Sequence, residues 1–229
     1  MVGYCWPVDE LAAFLAEHRD AADAPVLWQV SCLRNDPRHD TWQGDRERAG
    51  GGALLHLGFD ALRVIASLGG LPSRVFCVAS RTPKPGLPFT YDTEDSAVLT
   101  LDYEGRAVAG LVVSRTHPDE SFRLLAHSPR ARATLSGLPA PSGQAGDALV
   151  VRVTDGPTHS LVIPDRAESL RRQLERFAEQ VQAGDAASSD RGELLAAQAV
   201  IDAAYLSTRT GDAESPARFL HQAGVPEVG

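Results

Sequence analysis

His56 and Asp60 are the two residues of this sequence whose types and spacing suit proton transfer. They stand four apart within Gly-Gly-Gly-Ala-Leu-Leu-His-Leu-Gly-Phe-Asp, residues 50–60, and that spacing puts two side chains on one face of a helix. A carboxylate placed there orients an imidazole and raises its pKa toward neutrality, as general acid–base catalysis requires. The same spacing also describes a plain pair on a solvated helix face, worth roughly 0.2–0.5 kcal/mol. Both readings stay open on spacing alone. A metal centre would need further ligands, and no third ligand with supporting spacing accompanies the pair.

Three further features surround it. Gly50, Gly51 and Gly52 run directly into an apolar helical segment. A helix start there presents unpaired N–H groups, which suit an anion or polar ligand, and Gly51 and Gly52 would let substrate approach the backbone closely. Trp42, with His39 and Asp45, lies in the polar stretch before the glycines; an indole face stacks on a sugar ring or lids a core. Arg115 and His117 follow a predicted hairpin and either point into the site or lie on the surface.

The elements that must position these residues follow from periodicity. Residues 25–33 and 73–80 read as strands. Residues 34–48 are polar and read as a loop. The helix that follows the glycines runs to residue 68, with His56, Asp60, Arg63 and Ser67 on one stripe and Leu54, Leu57, Ala61, Ile65 and Leu68 on another, the pattern of one face laid on a core. Residues 94–114 alternate with period two about a Glu104-Gly105 turn, the clearest hairpin in the chain. A second hairpin spans 149–163 about Asp155-Gly156, with weaker strands at 122–126 and 133–135. Shorter elements at 2–5 (strand) and 9–17 (helix) precede these. Helices at 167–183 and 191–210 close the domain, and 212–229 reads as a polar, loosely held tail. The order of helix, strand meander and two helices predicts an α+β domain, residues 1–211, built on an open, mostly antiparallel sheet with helices packed on one face.

Composition sets the outer limits. The net charge of −8 opposes phosphate-backbone binding, so nucleic acid is excluded as a partner. No apolar run approaches the roughly 20 residues of a membrane helix, so no membrane partner is expected. Cys5, Cys32 and Cys77 are odd in number and widely spaced, which reads as reduced thiols in a cytoplasmic protein.

Several of these stretches together resemble one family. They are Val2-Gly3-Tyr4 before a helix, the Gly50-Gly51-Gly52-Ala53-Leu54-Leu55 helix start, Glu94-Asp95-Ser96-Ala97 opening a strand, and the ending Phe177, Val181, Gly184, Ala204-Tyr205, Ser207, Arg209-Thr210-Gly211. Their order and spacing resemble the C-terminal domain of the Gfo/Idh/MocA oxidoreductases over nearly the whole chain. The resemblance implies a small sugar-like or cyclitol ligand and subunit contact through the open sheet face, as a homodimer or hetero-oligomer. In that family an N-terminal Rossmann domain binds NAD or NADP and carries the catalytic lysine. No strand–Gly-x-Gly-x-x-Gly–helix unit occurs in this sequence, and Lys84-Pro85 falls in a loop of the other domain. No cofactor is therefore expected on this chain alone, and NAD(P) only with a Rossmann-bearing partner chain. The family pattern after the glycines is Asp, three residues, His; here the types are reversed as His56 and Asp60. The family histidine handles the proton at the carbon undergoing hydride transfer. Cys5-Trp6-Pro7 also replaces an arginine-containing stretch. The expectations are thus a stand-alone substrate-binding and oligomerisation domain; alternatively a cofactor-independent isomerase, lyase or cyclase using His56 and Asp60; or a non-catalytic binding module or truncated gene product.

Overall fold

Strict alternation along the central strands builds the sheet. In β1 (Leu27–Asn35), Trp28, Val30, Cys32 and Arg34 turn inward while their neighbours are more exposed. The computed structural model describes residues 27–36, 41–82, 91–129, 131–136, 148–153, 155–162, 165–184 and 191–224. The expected elements at 2–5 and 9–17, and the residues His39 and Lys84, lie outside these. After β1 come a single 3-10 turn (Trp42–Gly44), a four-residue helix α1 (Arg46–Ala49) and the long helix α2 (Ala53–Gly69). Then follow β2 (Arg74–Ser80), β3 (Ser96–Asp102), β4 (Val108–Ser114), β5 (Thr116–His127), β6 (Ala131–Ser136), β7 (Ala148–Val153) and β8 (Thr158–Val162). Three helices end the described chain: α3 (Arg166–Gln182), α4 (Arg191–Thr210) and α5 (Ala217–Gln222).

The strands form one eight-stranded sheet in the order β2-β3-β4-β1-β5-β6-β7-β8. Only the β1–β4 pair is parallel; the other neighbours run antiparallel. This is the α+β, mostly antiparallel sheet that the order of elements predicts. Register carries apolar rows across it. Cys77, Leu99, Leu111, Val30, Leu124 and Leu135 form one such row, and all six are buried. Helix α2 lies over this face along β1, β3 and β4, and α4 covers β2 and packs on α2. The turn at Glu104-Gly105 has left-handed backbone at both residues, φ 56° and 72°, the conformation a two-residue hairpin turn requires.

Three expectations change. Strands β5 and β6 are twelve and six residues long, well beyond the weak stretches expected at 122–126 and 133–135. Pairing with β1 and β7 extends them, and tertiary pairing overrides local propensity. The supposed loop at 34–48 contains the 3-10 turn and α1, each capped by a short polar side chain: Thr41 accepts from Gln43 N–H and Asp45 from Arg48 N–H. The tail is docked. Val75 and Glu214 exchange backbone hydrogen bonds of 2.8 and 2.9 Å, and α5 buries Leu220. A short segment thus covers the open edge of β2, a common way to protect an edge strand.

Against the expectation from apolar run length, Arg46–Gly69 is by length and composition long and apolar enough to cross a membrane, and 67% of its apolar window is buried within the protein. Its apolarity belongs to the core.

Candidate functional site

The start of α2 is built from four segments of chain. Gly50 has φ +77° and closes α1, accepting the left-handed turn that lets the chain reverse into α2. Gly51 and Gly52 are buried, and each is small for a reason. A Cβ on Gly52 would lie 1.9 Å from the Glu94 carbonyl oxygen, and one on Gly51 would lie 2.0 Å from the Tyr205 hydroxyl. The N–H groups expected to face a ligand are engaged. Gly52 N–H donates to both carboxylate oxygens of Glu94 at 3.0 and 3.1 Å, and Leu54 N–H donates to Oε1 at 3.0 Å. Ala53 N–H donates to the Glu94 carbonyl at 2.8 Å. Tyr205 on α4 donates its hydroxyl to the same carboxylate at 2.9 Å. Arg46 approaches Glu94 at 3.8 Å and lies over the Tyr205 ring at 5.2 Å.

Glu94 is thus a buried anion of the protein's own at a helix N-terminus, where dipole and orphan donors favour one. Burial, the Glu94 charge and the hydrogen bond to it push the Tyr205 phenol well above its ordinary range. Burial, with a lesser contribution from Glu94, pushes the Cys77 thiol up to about 12. A dinucleotide pyrophosphate does not fit this helix start, because its donors are taken and a carboxylate stands where the phosphate would.

One turn further on, His56 and Asp60 are half-buried on α2, with Arg63 and Ser67 continuing the same polar stripe. Trp42 meets His56 edge to face, with ring centroids 6.0 Å apart, while half of its own surface stays exposed. The turn carrying Trp42 is tied to the approach to β3. Asp92 N–H donates to Gly44 carbonyl at 3.0 Å, Arg46 N–H to Asp92 Oδ1 at 2.6 Å, and Thr93 hydroxyl to Gln43 carbonyl at 3.0 Å. The structure therefore brings together His56, Asp60 and Trp42 beside the buried Gly51 and Gly52. Chemically, this is a half-covered imidazole and carboxylate on one helical face, with a half-exposed indole meeting the imidazole edge to face.

Arg115 sits at the same end of the sheet, 5% exposed, rather than on the surface. Its N–H donates to the Asp95 carbonyl at 2.8 Å, next in sequence to the residue that caps α2. His117 is half-buried at the start of β5. Among the described residues, no three His, Cys, Asp or Glu side chains come together as a metal site. Sequence reasoning missed the roles of Glu94 and Tyr205 and the burial of Arg34. Arg34 was legible, because it falls at the inward parity of β1. The Glu94–Tyr205 contact spans 111 residues, and no local pattern announces it.

The described residues form an open mixed sheet with one long glycine-led helix across it and a polar stripe along that helix. The chain belongs to the GFO/IDH/MocA C-terminal domain family, whose model matches residues 21–136. The D-xylose 1-dehydrogenase (NADP(+)) 2 of Haloferax volcanii is 29% identical over 208 residues, covering 90% of this chain and 60% of that protein. Among solved structures, levoglucosan dehydrogenase in complex with NADH and levoglucosan matches with a TM-score of 0.74 at 16% identity, over 91% of this chain and 63% of that one. The aldose-aldose oxidoreductase of Caulobacter crescentus, complexed with glycerol, matches with a TM-score of 0.70 at 23% identity, over 94% and 63%. These structural likenesses concern the fold. The chain spans about three fifths of the curated relative it matches.

Proposed function

We propose that this chain is the substrate-binding and assembly domain of a sugar or cyclitol oxidoreductase system. The nicotinamide cofactor would be held by a dinucleotide-binding domain rather than by the residues described here. The observation that carries the reading is the half-buried His56–Asp60 stripe beside Trp42, set at the start of α2 in a domain of this family. Trp42 would stack on the sugar ring, and Arg115 and the Gly51–Gly52 corner would bound the pocket. Asp60 stands where the family has histidine and would exchange the proton of the reacting hydroxyl. His56, one turn earlier, would hold that carboxylate in place. Cys32 and Cys77 are buried and not joined in a disulfide, which suits a reducing, cytoplasmic setting. Assembly would use the uncovered sheet face, as a homodimer or with a Rossmann-bearing chain.

The test is a sugar titration followed by intrinsic fluorescence, since Trp42 is one of three tryptophans. D-xylose, levoglucosan and myo-inositol are the probes. At least one should bind, and Trp42→Ala should weaken that binding about tenfold through loss of the aromatic surface. Unaltered affinity in the variant would overturn the placement of the site.

A second reading is favoured by Glu94 closing the helix start. Acid–base chemistry on a polyol, as isomerisation, elimination or cyclisation, needs no nicotinamide. His56→Ala or Asp60→Asn should then each lower turnover about 100-fold, and near-wild-type rates would exclude it.

A further inference from the structure

We infer that the consecutive residues Asp92, Thr93, Glu94 and Asp95 are positioning residues that fix the parts of the proposed site relative to one another. This deepens the substrate reading above and rests on it. Each residue of the run grips a different part. Asp92 N–H donates to the Gly44 carbonyl at 3.0 Å, and Asp92 Oδ1 accepts from Arg46 N–H at 2.6 Å. The Thr93 hydroxyl donates to the Gln43 carbonyl at 3.0 Å. These three bonds hold the turn that carries Trp42. Glu94 holds the start of α2, accepting from Ala53 N–H at its carbonyl and from Gly52 and Leu54 N–H at its carboxylate. The Asp95 carbonyl accepts from Arg115 N–H at 2.8 Å. The segments carrying Trp42, Gly51–Gly52, His56–Asp60 and Arg115 are thus all tied to one run of four residues.

The run is itself anchored in the sheet. Asp95 N–H donates to the Ser80 carbonyl at 3.1 Å. The next residue, Ser96, opens β3 and pairs with Ser80 of β2 on one side and Ser114 of β4 on the other. Thr93, Glu94 and Asp95 are 3%, 7% and 1% exposed, so water competes little for their bonds. Further donors steady the two carboxylates: the Tyr205 hydroxyl at 2.9 Å on Glu94, and Thr82 N–H at 2.7 Å and the Tyr91 hydroxyl at 3.1 Å on Asp95. Geometry referred to a strand of a sheet is held more closely than geometry carried by loops alone.

The site needs such a reference. The covalent path from Trp42 to His56 runs through Gly50, Gly51 and Gly52, with Gly50 at φ +77°, and glycine leaves a backbone many conformations. That path alone does not set the indole edge to face on the imidazole, with centroids 6.0 Å apart. The cross-links do, because Asp92 and Thr93 hold the turn while the very next residue holds the helix. Small errors matter at this range: about 1 Å of misplacement costs a catalysed reaction about 100-fold. Thr93 is the sharpest point of the arrangement. Valine has nearly its shape and would fill its buried place, but could not donate to the Gln43 carbonyl.

The experiment compares Thr93→Val and Thr93→Ser with the unaltered chain in two readouts, both taken well below the melting midpoint. The first is calorimetric titration with D-xylose, levoglucosan and myo-inositol. The second is acrylamide quenching of Trp42, isolated by difference from a Trp42→Phe background. Thr93→Val should weaken binding of the sugar that the unaltered chain takes by about tenfold and open Trp42 to the quencher. Thr93→Ser, which keeps the hydroxyl, should restore both. A merely structural Thr93 lowers the melting midpoint and leaves the affinity of the folded protein unchanged. Unchanged affinity in Thr93→Val, or a loss that Thr93→Ser does not restore, would overturn the inference and leave the sugar site standing. If the unaltered chain binds none of the sugars, the substrate reading fails and quenching decides: equal quenching in all three proteins overturns the positioning role, and opening in Thr93→Val alone supports it. If Thr93→Val does not fold, Asp92→Ala, at an exposed position, removes the bond from Arg46 N–H and carries the same expectation.

Discussion

At the scale of single residues, the start of α2 is governed by what has no room to change. Gly52 must lack a side chain because the Glu94 carbonyl occupies the place a Cβ would take, 1.9 Å away. Gly52→Ala should therefore lower stability by about 3 kcal/mol or more, read from the denaturant midpoint. Gly110→Ala is the control. The atom nearest its added Cβ is the Leu99 carbonyl oxygen at 3.9 Å, and the change should stay within about 0.5 kcal/mol. Equal effects at the two positions would show that the clash is relieved by easy movement. The triplet of glycines was legible in the sequence as a place of close approach. What approaches was not: Gly52 meets the chain's own Glu94, forty-odd residues away, and Gly51 meets Tyr205. His56 and Asp60 share a helix face because 3.6-residue periodicity dictates it. Arg115, by contrast, is buried because a crossover between β4 and β5 carries it over the end of β1, a feature of topology.

At the scale of elements, alternation and turn chemistry foretold the strands that have a solvent side, β2, β3 and β4, and the left-handed Glu104-Gly105 turn between the latter two. It understated β5 and β6, which are ordered by their neighbours rather than by their own composition. It also misread 212–224, where polar residues suggest a loose tail. The deciding interaction there is a backbone pair, Val75 with Glu214, to which side-chain polarity is blind. Removing residues 212–229 should expose the β2 edge, lose two backbone hydrogen bonds and uncover Leu220. A loss of about 3 kcal/mol is expected from those contributions, together with concentration-dependent association through the bared edge. A truncated chain with the melting midpoint of the full one would show that the docked segment contributes nothing.

At the scale of the molecule, the sheet has one face under α2 and α4, and among the described residues no helix is packed on the other. Val78 and Val98 are 59% and 51% exposed there and stand side by side in register, with Phe76 two residues along β2 at 41%. That apolar row is the surface through which assembly is proposed. Val78→Asp combined with Val98→Asp should reduce the solution mass from a dimer or larger to 24.4 kDa. A wild-type protein already at that mass would refute self-assembly through this row. The same scale carries the central claim, that the chain is a substrate-side domain whose glycine-led helix start is closed by Glu94 to a dinucleotide phosphate. The direct measurement is a fluorescence titration of the purified chain with NADH and with NADPH. No saturable binding at micromolar concentration is the predicted result. Saturation there would contradict the account, because it would require a nucleotide site that the Glu94-capped helix cannot supply.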